Sequence, residues 1–118
     1  MAAGTFGDEL DKTTKIQLSV TGRTSGRKIA RPVWFVRQDD SLYLLPVYGS
    51  DTQWYKNIIA THAVELSADR ATYSADARPL TDSSSVQHVI DSFRAKYGED
   101  DVRDYYPKTD VAVEVPLG

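Results

Sequence analysis

The chain has 118 residues, 41% of them hydrophobic and 26% charged, with a net charge of −3 and no cysteine. That is enough for one domain with one core. It excludes disulfides, thiolate chemistry and cysteine-held zinc or iron–sulfur centres, and with this acidic balance general attraction to nucleic acid or an anionic membrane is not expected.

No apolar run approaches the length of a membrane span. Residues 1–7 carry neither a basic nor a long apolar stretch, so no signal peptide is expected and the cytoplasm is the expected compartment. Residues 1–13 read as a flexible N-terminal segment, with 8–12 able to form a helical turn, and 14–118 as a single domain. Ile16, Leu18 and Val20 then alternate with polar residues, the period of a half-buried strand. The loop Thr21-Gly22-Arg23-Thr24-Ser25-Gly26-Arg27-Lys28 follows. Its glycines permit a tight turn and close approach of a ligand, its hydroxyls and backbone N–H groups can form an anion-binding concavity, and it is basic. Four of the fourteen lysines and arginines (Arg23, Arg27, Lys28, Arg31) fall between 23 and 31 in an otherwise acidic protein.

A second strand is expected over 29–36. Ile29, Arg31, Val33 and Phe35 share one face, and Pro32, which cannot donate to a ladder, implies an edge or a bulge. Arg31 among apolar neighbours needs a partner or an opening to solvent, and a bound anion would supply one. Residues 38–41 read as a turn into a short apolar strand over 42–45, giving a hairpin. Beyond Pro46, Ser50 or Asp51 can cap a helix whose Trp54, Tyr55, Ile58 and Ile59 form one stripe. Strands over 63–68 and 71–80 flank a turn at Asp69-Arg70. Thr81 or Asp82 caps the clearest helix, with Val86, Val89, Ile90, Phe93 and Tyr97 on one face and Gly98 at its end. A further helical turn over 99–106 precedes a final strand through Val111, Val113 and Val115. Six short, mostly antiparallel strands with two or three helices outside imply an α+β domain built on a small, highly curved sheet or barrel.

His62 and His88 have no ligand or nucleophile partner near them in sequence, so a metal site is not expected, and Ser25 has no evident base. The positive signals are the basic loop and the aromatics: seven tyrosines and two tryptophans. Adjacent Tyr105 and Tyr106 lie where core packing does not call for both. An anion cradle beside aromatic walls, without nucleophile or metal, suits a phosphorylated planar cofactor that brings its own chemistry.

Thr-Gly-Arg-x-Ser-Gly at 21–26, Pro32 followed by Val-Trp-Phe-Val at 33–36, and Trp54-Tyr55-x-Asn57 together resemble the deazaflavin-dependent nitroreductase and quinone reductase family. The resemblance runs over about 14–118. It implies an FMN-binding-type split β-barrel and an oxidoreductase. A reduced 5-deazaflavin coenzyme (F-420) would pass hydride to a quinone, enone or nitro-type acceptor, with FMN as the alternative cofactor. It carries over cofactor contacts at Arg23, Ser25, Gly26, Pro32, Trp54, Tyr55 and Asn57, and places Tyr105 and Tyr106 at the substrate; Thr24, Arg27, Lys28, Arg31, Val47 and Tyr48, in the same loop, strand and following segment, are expected to join the cofactor contacts. By analogy of fold it implies a homodimer. The family often carries lysine where this chain has Thr24 and arginine where it has Ile29; here the charge sits at Arg27, Lys28 and Arg31. A small protein that holds a planar ligand without turnover is the reading from a different class.

Overall fold

A computed structural model describes residues 15–38, 40–68 and 71–117. The expected N-terminal segment with its helical turn, Asp39 in the 38–41 turn, and the Asp69-Arg70 turn lie outside the described residues. β1 (Lys15–Thr21) buries Ile16, Leu18 and Val20 and leaves Lys15 and Gln17 exposed, as its alternation requires. It pairs antiparallel with β2 (Lys28–Trp34), from Thr21 opposite Lys28 to Lys15 opposite Trp34.

The run expected as one strand over 29–36 is two strands in two sheets. β2 ends at Trp34, Phe35 stands between, and β3 (Val36–Gln38) pairs with β4 (Ser41–Leu44) as the hairpin the turn implied. The return over 71–80 divides likewise: β5 (Ala63–Ala68) pairs with β6 (Ala71–Asp76), Ala77 intervenes, and β7 (Arg78–Leu80) joins β8 (Ala112–Pro116). The sheets therefore run β2-β1-β5-β6 and β3-β4-β8-β7. There are eight described strands rather than six, in two four-stranded antiparallel sheets that are not closed into a barrel, with three helices: an α+β fold. Pro32 sits in β2 at the edge of its sheet, where its missing donor costs no ladder bond.

The helices are α1 (Gln53–Ala60), which follows a 3-10 turn at Gly49–Asp51, then α2 (Ser83–Tyr97) and α3 (Glu99–Tyr105). Asp82 caps α2 by accepting a hydrogen bond from the Ser85 N–H at 2.9 Å, and Gly98, at φ 96°, ends it. For α1 the N-cap is Thr52, not Ser50 or Asp51, which belong to the preceding 3-10 turn.

One core lies between the sheets and α1, from Leu18, Leu42, Leu44, Leu66, Val113, Val115, Ile58 and Phe35. A second lies between the far face of the β3-β4-β8-β7 sheet and α2–α3, with Val36, Leu45 and Ala112 against Val89, Ile90, Phe93, Val102 and Tyr106. Phe35 and Val36 thus point into different cores, and the chain changes sheet between them.

That change takes Phe35 out of the ladder, and its backbone is bonded by α2 instead. The Tyr97 hydroxyl donates to the Phe35 carbonyl at 2.7 Å and accepts from its N–H at 3.1 Å. Lys96 Nζ donates to the same carbonyl at 2.8 Å and sits 3.8 Å from the Phe35 ring centroid. Burial pushes the Tyr97 phenol up and the Lys96 ammonium down from their ordinary values. Tyr97→Phe would strand the Phe35 N–H and remove one of the two donors to its carbonyl. The expected outcome is a loss of about 1–3 kcal/mol in urea unfolding with an unchanged m-value; a loss below about 0.5 kcal/mol would show that this contact does not secure the change of sheet.

Candidate functional site: an aromatic cleft with a cationic end

A cleft of about 490 Å3 opens along the free edge of β2. Arg31, Pro32, Val33 and Trp34 of β2 form one side; Leu45, Val47, Tyr48, Asp51, Thr52, Gln53 and Trp54 form the other; Tyr105 and Tyr106 close one end. A smaller hollow of about 280 Å3, lined by Gly22, Arg23, Thr24, Ser25, Ile29 and Asn57, shares Arg31, Gln53 and Trp54 with it. Together they make one groove, apolar and aromatic at the tyrosine end and polar and cationic at the loop end.

Four residues expected at a cofactor do not line this groove. Tyr55 is buried in the core beside Trp54, and burial, then the Asp110 charge, pushes its phenol up. Lys28 points to the other face of its sheet, 3.2 Å from Glu65. Gly26 takes φ 70° at the turn, and the exposed Arg27 lies beside it. Arg23, Thr24, Ser25, Arg31, Pro32, Val47, Tyr48, Trp54, Asn57, Tyr105 and Tyr106 all line one part of the groove or the other.

Four of the loop's amides are engaged inside the protein. Gly22 N–H bonds the Arg27 carbonyl at 2.7 Å, Gly26 N–H the Gly22 carbonyl at 2.8 Å, and Arg27 N–H the Ser25 hydroxyl at 3.2 Å. Arg23 N–H bonds Asn57 Oδ1 at 3.1 Å. These four N–H groups are therefore not the anion concavity expected of the loop. Arg23 is a clip between loop and helix. Its guanidinium donates to Asn57 Oδ1 and to Gln53 Oε1, each at 2.8 Å. Both acceptors are neutral, so the positive charge is held in place and not cancelled. Arg31 differs. Its guanidinium makes a weak hydrogen bond to the Ala30 carbonyl at 3.3 Å, and among the described residues it has no carboxylate partner. It stands exposed where cleft and hollow meet.

Trp34, absent from the expected site, organises the aromatic end. Tyr97 stacks on it at 4.3 Å and 12°, and Tyr105 at 4.7 Å and 14°. Tyr106 meets it edge-on at 6.1 Å and 70°. Burial, then Tyr105 and Tyr97, pushes the Tyr106 phenol far up, so it stays an O–H at every physiological pH. The signal for Trp34 was its place beside Pro32 on an edge strand.

The far wall is fastened from the C-terminal side. Asp110 accepts from the Ser50 N–H at 2.9 Å and the Ser50 hydroxyl at 2.6 Å. Lys108 reaches Asp51 at 2.9 Å, so the carboxylate on the cleft wall is paired. Gly49 between them takes φ 57°, and a Cβ there would collide with the Asp110 carboxylate. Among the described residues no group of three His, Asp or Glu could hold a metal, and no helix is long and apolar enough to cross a membrane.

Two four-stranded antiparallel sheets with three helices define an α+β class of fold. The family model for DUF2255, described as an uncharacterized protein conserved in bacteria, matches residues 8–113, and the chain belongs to that family. No curated protein matches it. Solved structures do. An F420-H2-dependent reductase, FDR-A, is 19% identical at TM-score 0.67, over 86% of this chain and 93% of that one. The heme storage protein HutZ from Vibrio cholerae is 15% identical at TM-score 0.72, over 98% and 89%. A candidate pyridoxamine 5′-phosphate oxidase from Listeria innocua is 14% identical at TM-score 0.71, over 98% and 92%. At these identities the likeness is one of fold.

Two outcomes test the site's framework. Asn57, only 4% exposed, should cost about 1–3 kcal/mol when changed to Ala, because it leaves the Arg23 N–H without its acceptor. Arg23→Ala should cost less, and equal losses by chemical denaturation would contradict the clip. Burial pushes Asp110 up, but the two bonds from Ser50 and the Lys108 charge outweigh it, and its carboxyl is held below its ordinary value. A depressed carboxyl stabilises above its unfolded pKa of about 3.9 and loses that contribution as pH falls through the folded value. The midpoint gap between wild type and Asp110→Asn should therefore hold from pH 7 to about 4 and close below it; a gap that closes between pH 7 and 5 would contradict the assignment.

Proposed function

We propose that the chain is an oxidoreductase that binds a planar, anionic redox coenzyme in this groove. The leading candidate is the reduced deazaflavin F-420, with FMN as the alternative and a quinone, enone or nitro compound as acceptor. The observation that carries the reading is Arg31. It is a cation with no carboxylate partner among the described residues, standing between an aromatic cleft and a hydroxyl-lined hollow. A ring system suits the aromatic cleft lined by Trp34, Tyr48, Trp54 and Tyr105. A phosphate suits Arg31, the fixed charge of Arg23, and the hydroxyls of Thr24 and Ser25.

Bound there, such a coenzyme would supply the hydride. The chain's own residues bind, orient and keep water away. Arg31 stays charged at every working pH and would fix the anionic end. Trp54, buried in the core on its other side, gives a rigid wall. Tyr106 would act as a hydrogen-bond donor and not as an acid, because its phenol does not ionise. The neutral clip from Arg23 to Asn57 and Gln53 would hold the loop at a set distance from α1.

Binding without turnover is the second reading. The cleft's lining contains no histidine, and its carboxylate, Asp51, is tied to Lys108. Titration with F-420 and with FMN, followed by ligand fluorescence, is expected to show saturable binding of one of them, at least about tenfold weaker in Arg31→Ala. Equal affinity in that variant would remove the anion site. Mixing the reduced complex with menadione then separates enzyme from carrier: reoxidation no faster than without protein, across several acceptors, would leave only the second reading.

A further inference from the structure

The Trp34 indole is already occupied. Two near-parallel rings with centroids 4.3 and 4.7 Å from it cannot share one face without overlapping, so Tyr97 covers one side and Tyr105 the other. The two covers are held differently. Tyr97 is half-buried within α2, with its hydroxyl bonded twice to the Phe35 backbone. Tyr105 is the last residue of the seven-residue α3 and is 46% exposed. Among the described residues its hydroxyl makes no hydrogen bond, and its ring is kept by the stack on Trp34 and an edge contact with Tyr106 at 5.1 Å. Trp34 and Tyr105 both line the cleft, so the second face of the indole, the one an incoming ring would use, is filled by the protein's own tyrosine.

We propose that Tyr105 is a displaceable gate: it occupies the stacking face of Trp34 until a planar ligand takes its place. This rests on the reading of the cleft as a planar-ligand site and deepens it. The exchange conserves one aromatic contact: the Trp34–Tyr105 stack is lost and a Trp34–ligand stack is gained. Apparent affinity is then reduced by the fraction of molecules in which Tyr105 is closed. The choice of ligand follows as well. A flat, fused ring system that covers the indole better than a single phenol can displace Tyr105, whereas a lone six-membered ring gains nothing over the tyrosine it replaces. Tyr105 is in this sense a specificity residue for extended planar ligands.

A gate and a wall predict opposite effects of removing the ring. FMN and F-420 would be titrated into full-length wild type, Tyr105→Ala, Tyr105→Leu and Tyr105→Phe, with near-UV circular dichroism checking each fold. For the probe that binds, Tyr105→Ala is expected to bind about 2- to 10-fold more tightly, the range an aromatic pair spans. Tyr105→Leu should shift the same way, so the test survives if the alanine variant does not fold. Tyr105→Phe should match wild type, because it keeps the stack. In stopped-flow mixing, the observed association rate of wild type should level off with ligand concentration, and that of Tyr105→Ala should rise linearly. Unchanged or weaker binding in both Ala and Leu variants would overturn the gate while leaving the planar-ligand reading intact. Failure of both probes to bind any variant, Tyr105→Ala included, would overturn the two together.

Discussion

The fold turns on the backbone of one residue. Phe35 leaves one sheet before the chain enters the other, and a buried peptide without a ladder must find partners elsewhere. α2 provides them through Tyr97 and Lys96. The same contact fixes where α2 lies, and with it the second core of Val89, Ile90 and Phe93. It also positions the Tyr97 ring against Trp34, the residue just before Phe35. One phenol therefore links the change of sheet, the seating of a helix and the aromatic end of the groove.

The groove opens along β2. β2 is the edge strand of its sheet, and along this free edge Arg31 can stand in solvent while Ile29 and Val33 on the same face pack against the core. The charge distribution is uneven. Lys28 is matched by Glu65 and Asp51 by Lys108. Arg23 is held by neutral amides, and Arg31 meets no acid among the described residues. The uncompensated positive potential is thereby concentrated at one end of an aromatic slot, in a protein whose net charge is negative.

Much of this was legible in residue order. The alternation of Ile16, Leu18 and Val20, the Asp82 cap, Gly98, the edge position of Pro32 and the need of Arg31 for an opening all appear in the structure as the sequence implied. The two changes of sheet did not show, because a period of two runs on unbroken through Phe35 and Ala77; alternation reports which face a side chain takes, not which neighbour its backbone bonds. The clip made by Arg23 did not show, because its acceptors, Gln53 and Asn57, lie 30 and 34 residues away. Tyr55 and Trp54 are adjacent, aromatic and both buried in the core, but about 100° apart around α1, so that Trp54 also lines the groove and Tyr55 does not. The stack on Trp34 is not legible in the sequence, since its partners come from helices more than sixty positions on.

The fastening of Ser50 and Asp51 by Asp110 and Lys108 has a consequence in time. These bonds span 60 and 57 residues, across α1, three strands and both later helices. Contacts of such separation form after local hairpins and helices, since the intervening loop must first be closed. During synthesis the chain can build β1–β2, the β3–β4 hairpin and α1 while Tyr48 to Asp51 still lack their clasp. The wall of the groove sets only once the segment ahead of β8 arrives, so a growing chain acquires a shaped ligand site almost at the end, together with the Val113 and Val115 share of its core.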